Sequence, residues 1–356
     1  MALRILILGA SYGSLLATKL LMAGHDATLV CTRSTADLIN RDGTLVRFPT
    51  KARPEPVAIH SRELPGRLDA CAPEQADPSA YDLVVLGMQE SQYGQQGVRQ
   101  LVERIAKART PALAIMNMPP LPYLRRIPRL RVELLEACFT EPAVWKGFDP
   151  DLVTLASPDP QAFRPADEPK NVLQVGLPTN FKAARFGSAA ATALLRRLDT
   201  DIEQARFQGD EIPVKLKLHD SVFVPLAKWP MLMTGNYRCI GADGMVPIQE
   251  AVHGDLARSR EIYAWVGELC ERLGAQPGDL VPFDKYAQAA ASLKKPSSAA
   301  RALFGGAEHI ERVDSLVQRI ASQLGLRHSA IDEMVARVDA RLARNRAGQR
   351  EELAAA

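Results

Sequence analysis

The sequence predicts an α/β protein, a doubly wound parallel-sheet domain over residues 1–210 followed by an all-α domain over 211–356. Three observations lead there. Short apolar runs alternate with helical spacing as far as Asn117, prolines and aspartates crowd residues 143–170, and from Ser221 onward the pattern is helical almost to the end. At roughly 150 residues per domain, 356 residues suit two.

Residues 4–8, RILIL, form a short apolar run that stops at Gly9, the mark of a strand covered on both faces. Leu15, Leu16, Leu20 and Leu21 then follow helical spacing, with Gly24 placed to end the helix. Residues 27–31 read as a second strand, 82–86 as a third, 97–107 as a helix and 112–117 as a fourth strand. Further strands are expected at 152–156 and 172–177 in an elaborated edge, and helices at 249–273 and 309–324. The domain boundary is expected within 204–217, and residues 344–356, poor in apolar side chains, are expected to fray.

Composition removes several classes of function. With 47% hydrophobic and 24% charged residues the chain is an ordinary globular protein. A net charge of +3 and an aromatic share of 6% argue against nucleic acid as a partner. The five cysteines are scattered with no CxxC pair, which argues against a disulfide framework and a zinc site and points to a reducing, cytoplasmic compartment. The apolar start is broken at residues 9–14 and again at Lys19, so neither a leader nor a membrane segment is expected.

Between first strand and first helix stands Gly9-Ala10-Ser11-Tyr12-Gly13-Ser14, in the place of the G-x-G-x-x-G turn that cradles a dinucleotide pyrophosphate. Gly9 serves the tight turn, Ser11 the close approach to phosphate, and Ser14 the packing of helix on strand. Serine replaces glycine at both later positions. Where an NAD enzyme usually has an acidic residue at the end of the second strand, this chain has Cys31-Thr32-Arg33-Ser34. Thr32 and Arg33 suit a 2′-phosphate, so NADP is the expected cofactor, the alternative for Arg33 being a solvated loop residue.

Four stretches together resemble the ketopantoate reductase family, among the 6-phosphogluconate dehydrogenase-like, Rossmann-type oxidoreductases. They are the turn at 9–14, the DLVVLGMQES segment at 82–91, AIMN at 114–117, and LAKWPMLMTGN at 226–236. The resemblance implies that Met88 and Gln89 line the cofactor, that Asn117 stands beside the nicotinamide, and that Lys228 and Asn236 open the second domain as catalytic residues. It further implies a serine near Ser297 and an acidic residue at Glu308, with His309 the competing register. This chain departs from the family's pattern at Gln89, Met118 and Leu232, which puts ketopantoate itself in doubt as substrate.

The chemistry these residues suit is reduction of a ketone, such as a 2-oxo acid, by hydride from NADPH in a cleft between the domains. A lysine in a dry cleft holds and protonates the oxygen as the hydride arrives. Lys228 sits among Phe223, Val224, Leu226 and Met231, where a lysine is unexpected unless it faces a cavity or snorkels. Asn117 has a bland alternative as an amide capping the Pro119-Pro120 turn, and Ser297-Ser298 as a helix N-cap. An opine- or imine-type reductase and a non-catalytic NADP sensor are the competing functions. A small-molecule substrate and a homodimer are expected, and the basic stripe Arg337, Arg341, Arg344, Arg346 and Arg350 is read as a solvated helix face.

Overall fold

A computed structural model describes residues 1–50 and 53–355, with side chains through Arg350. The chain divides into two compact units, Met1–Arg126 with Ala143–Asp220, and Ile127–Pro142 with Ser221–Ala356.

The first unit begins as the sequence implies. Strand β1 (Arg4–Leu8) leads into helix α1 (Ala10–Met22) and strand β2 (Asp26–Val30), then helix α2 (Arg33–Asp42). Strands β3 (Leu45–Phe48), β4 (Val57–His60), β5 (Leu68–Cys71) and β6 (Leu83–Leu86) follow, then α3 (Gln96–Ala108), β7 (Ala112–Ile115) and the single turn α4 (Leu121–Leu124). The remainder is β8 (Val153–Ser157), β9 (Gln161–Phe163), β10 (Val172–Leu177), β11 (Phe181–Ala184), α5 (Ala189–Gln204) and β12 (Leu216–His219). Among the described residues the main sheet runs β12-β11-β8-β7-β6-β1-β2-β5, parallel throughout except where β11 meets β8.

A second sheet, β4-β3-β10-β9, is not foreseen as a sheet, although its strand β10 stands where one is expected, at 172–177. It packs on α1, which therefore lies between two sheets with every residue from Gly13 to Met22 buried. A helix covered all round carries no polar stripe, and α1 departs from the amphipathic helix expected of it. The expected boundary at 210/211 also moves. Strand β12 pairs with β11, so the first unit runs to Asp220, while residues 127–142, expected within the first domain, cluster with the helices through contact with α11.

The second unit is helical: α6 (Lys228–Met231), α7 (Ile248–His253), α8 (Leu256–Leu273), α9 (Phe283–Ala290), α10 (Ser298–Phe304), α11 (Val313–Gln323) and α12 (Ser329–Ala355). The helix expected at 249–273 is broken at Gly254, after which Asp255 caps α8 by accepting from the Arg258 amide at 2.9 Å. Helix α11 starts at Val313 and not at 309, leaving Glu308 and His309 on a loop. The stretch expected to fray is helical through Ala355, and Ala356 lies outside the described residues. No helix among the described residues is long and apolar enough to cross a membrane, and all five cysteines are free.

Burying α1 buries Lys19, which is 1% exposed. Its ammonium donates to the carbonyls of Ile212 (2.8 Å) and Pro213 (3.2 Å), just ahead of Val214, a β-branched residue held at a φ of 69°. Burial, with the charge of Lys215 adding to it, brings the Lys19 pKa down to about 7. The unfolded chain keeps that proton to the ordinary lysine pKa, so between the two values it binds more protons than the folded one and stability rises with pH. Thermal unfolding should therefore show Tm increasing from pH 7 to 9, and Lys19→Met should lose that slope; a variant that keeps it would exclude Lys19 as its source.

Candidate functional site

The first cluster lies at the carboxyl ends of β1 and β6. β1 pairs with β2 on one side and β6 on the other, and the connections leave it in opposite directions, which opens a crevice where ligands bind in such sheets. Gly9 ends β1 and caps α1 with a φ of +100°, a conformation that costs glycine least. A Cβ there would stand 2.9 Å from both the Gly87 carbonyl and Met88 Cγ. No side chain caps α1, so the amide donors of its first turn stay available to an anion. The Ser11 hydroxyl, half-buried beside them, makes no hydrogen bond among the described residues.

The motif's roles fall on different residues from those expected. Helix α1 starts immediately after Gly9, so close packing on the sheet belongs to Gly13, where a Cβ would stand 2.8 Å from Ile7 Cγ2 and 3.1 Å from Leu29 Cδ2. Ser14, expected in that role, is buried and donates its hydroxyl to the Ala10 carbonyl at 2.5 Å. Tyr12 turns edge-on to Phe181, 6.2 Å between ring centres, and burial with the nearby Asp159 charge keeps its phenol protonated. Gln89 is exposed and follows the β6 loop, where its backbone N–H donates to Gln92 Oε1. Asn117 is half-buried two residues beyond β7, and Met118 behind it is fully buried.

At the end of β2, Thr32 precedes α2 and donates to Thr35 Oγ1 at 3.0 Å. Arg33 extends to solvent, its side chain 72% exposed, and pairs with Glu74 at 2.9 Å. Sequence reading missed Glu74 because it lies one strand further on, after β5.

The second unit carries the other group of candidates. Lys228 is half-buried at the start of α6, flanked by the buried Ala227 and Trp229. Pro230 and Gly235 predict a kink, and the chain indeed passes from α6 into a π turn over Leu232–Asn236, closed by the Tyr237 amide donating to the Leu232 carbonyl at 3.0 Å. The turn leaves the Met231 carbonyl to the Tyr286 hydroxyl, 3.0 Å away, and Gly235 makes room for that phenol. At its end the Asn236 carbonyl accepts from Ser297 Oγ at 2.7 Å, and Ser297 in turn accepts from the Ala300 amide, making it the N-cap of α10. Tyr237 donates to the Glu311 carbonyl and accepts from the Val313 amide, so the same stretch also holds the loop ahead of α11. Trp229 and Tyr237 are core residues of this unit.

Glu308 and His309 on that loop line a cavity of about 450 Å³ within the second unit, together with Arg346 and Arg350 of α12. Arg346 and Arg350, read from sequence as part of a solvated face, are exposed as expected and border the open side of this pocket.

No protein-family model matches the chain, and no curated protein sequence matches it. Solved structures match over nearly its whole length. D-mandelate dehydrogenase, in a ternary structure with NADH and anilino(oxo)acetate, covers 96% of this chain and 99% of its own at 14% identity and a TM-score of 0.64. The 2-dehydropantoate 2-reductase of Methylococcus capsulatus aligns at 13% identity over 96% and 98%, with a TM-score of 0.63. A dimeric ketopantoate reductase from Staphylococcus aureus aligns at 9% identity over 96% and 100%, with a TM-score of 0.60. The chain has the fold of these proteins.

The π turn depends on Gly235, since a methyl group there would stand 2.2 Å from the Tyr286 hydroxyl. Gly235→Ala should lower stability by about 1–3 kcal/mol in denaturant unfolding, and Tyr286→Phe combined with it should recover part of the loss. Additive effects of the two substitutions would show that the clash does not set the turn.

Proposed function

We propose that the chain is an NADPH-dependent reductase that transfers a hydride to a ketone, a 2-oxo acid or a related carbonyl. The observation that carries this reading is the head of α1, where an uncapped helix end meets a positive-φ glycine that has no room for a side chain. Those features fit a dinucleotide pyrophosphate, and the likeness in fold to NADH-bound D-mandelate dehydrogenase and to ketopantoate reductases supports the same class of cofactor.

In this reading Gly9, Ser11, Tyr12, Gly13 and Ser14 form the phosphate turn, with Ser11 and the amides of α1 as donors, Gly13 as its packing contact and Ser14 bonded back to the Ala10 carbonyl. Thr32 and Arg33 take the ribose side, and Met88, Gln89 and Asn117 border the nicotinamide side. The bound dinucleotide supplies the hydride. Lys228 holds the negative charge that develops on the substrate oxygen and gives it a proton, Asn236 and Asn117 position the substrate, and Glu308 orients the lysine. The homodimer expected from sequence is supported by the dimeric neighbour.

Choice of cofactor rests on competition at Arg33. An exposed pair such as Arg33–Glu74 is worth about 0–1 kcal/mol, whereas a charge-assisted bond to a phosphate contributes about 1.5–3 kcal/mol, so the phosphate wins the guanidinium. In fluorescence titrations Arg33→Ala should weaken NADPH about ten- to a hundredfold and leave NADH within about twofold. Glu74→Gln, freeing the arginine, should tighten NADPH by up to about fivefold. Equal losses for both cofactors in Arg33→Ala would remove the arginine from the 2′-phosphate.

The test of the reaction is Lys228. Lys228→Ala should lower kcat for 2-oxo acid reduction by about a hundred- to ten-thousandfold while NADPH affinity stays within a few fold. Lys228→Arg should restore only part of the rate, because a guanidinium keeps the charge but does not release a proton near neutrality. A Lys228→Ala enzyme within about threefold of wild type would refute this assignment.

A further inference from the structure

We propose that the helical unit carries a second ligand site, a pocket for a small organic anion with an apolar body, either a carboxylate or a phosphate ester, between α12 and the loop ahead of α11. Its place is the cavity of about 450 Å³, within the usual range for small-molecule pockets. Three stretches of the unit wall it: residues 137–140, the loop 308–312 and α12.

The walls differ in character. Phe139, Ile310 and Leu342 are buried and present an apolar floor. Leu342, Arg346 and Arg350 follow one another at intervals of four along α12 and share one helix face, so both guanidinium groups stand on the side that faces the floor. A cavity with an apolar floor and cations along one side is complementary to an amphipathic anion.

The charge count decides the sign of the ligand. Arg312 also borders the cavity but is already matched by Asp314 at 3.0 Å and Asp339 at 2.6 Å. Arg346 is steadied by its Nε donating to the Glu308 carbonyl at 3.2 Å, a contact that leaves its charge uncompensated. Arg350 has no hydrogen bond or ion pair among the described residues. Against these two cations the lining offers one carboxylate, Glu308, so a net positive charge faces the cavity. A single anionic group placed between Arg346 and Arg350 balances it, and the planar guanidinium fork suits both carboxylate and phosphate oxygens.

The site goes beyond the reduction reading, because its occupancy is measured on the full chain without cofactor or turnover. The experiment is isothermal titration with 3-phenylpropionate, phenyl phosphate and the uncharged 3-phenylpropanol. At least one of the anions should bind, and the alcohol should bind at least about tenfold more weakly. Arg346→Gln with Arg350→Gln should weaken the anion about ten- to a hundredfold, leave NADPH affinity unchanged and leave the circular dichroism spectrum as in wild type. Arg341→Gln, which removes a cation stacked on Phe304 outside the cavity lining, should leave anion binding unchanged. Preference for 3-phenylpropionate over phenyl phosphate assigns the site to carboxylates, and the reverse preference assigns it to phosphate esters. Equal binding of the alcohol, full affinity in the double variant, or no binding by any probe would overturn the proposal whatever the outcome at Lys228.

Discussion

The first unit depends on how closely α1 approaches the sheet. Gly13 lets the helix axis come in over Ile7 and Leu29, and a methyl group at that position would have to displace one of them. This approach leaves room for the second sheet to close over the helix's far side, so α1 becomes a rod inside the core. Its amino end then emerges at the carboxyl ends of β1 and β6, where its amides face outward. The cost of full burial falls on Lys19, and the protein meets it with two backbone carbonyls and the Phe48 ring 5.7 Å from the ammonium. Those carbonyls belong to the turn that feeds β12, so the buried lysine ties the helix core to the sheet's far edge.

In the second unit the π turn at Leu232–Asn236 has a comparable role. It widens one turn of helix, and the carbonyls of Met231 and Asn236 are taken up by Tyr286 at its start and Ser297 at its end, while the Tyr237 hydroxyl bonds the loop ahead of α11. The segment from Lys228 to Tyr237 is thereby bonded to α9, to the start of α10 and to the loop ahead of α11. Residues far apart in sequence are held in register by side-chain hydroxyls bonded to backbone groups.

Much of this was legible in the sequence where burial is complete and the pattern unambiguous. β1, β6 and β7 are apolar runs of four or five residues that stop at a glycine or an asparagine turn, and they stand where expected to within two residues. Of the second sheet only β10 is legible, because β3 is four residues long with half-buried positions between its buried ones, β4 buries only Ile59, and β9 exposes Phe163. The glycine turn stands where the sequence puts it, between β1 and α1, but the close contact with the sheet falls on Gly13. Counting from a consensus assigns the packing contact to Ser14, whereas a helix that begins at Ala10 brings Gly13 over the strand. Residues 127–142 fall in the first domain by sequence order, and it is their contact with α11 that places them with the helices.

Four basic side chains in this protein show why some charges remain available to ligands and others do not. Lys19 is committed to buried carbonyls, and removing it from them would strand polar groups without water. Arg312 is equally committed, since Asp314 is fully buried and breaking that pair would leave an uncompensated carboxylate in the core, a loss of about 3–5 kcal/mol. Arg33 holds only an exposed partner and leaves it at a cost of about 1 kcal/mol or less, which any phosphate contact exceeds. Arg350 gives up no partner among the described residues. The order of these costs runs with burial, so the cations free to respond to an incoming anion are those at the end of β2 and on α12, and sequence alone ranks none of them because all four are simply lysine or arginine until their neighbours are known.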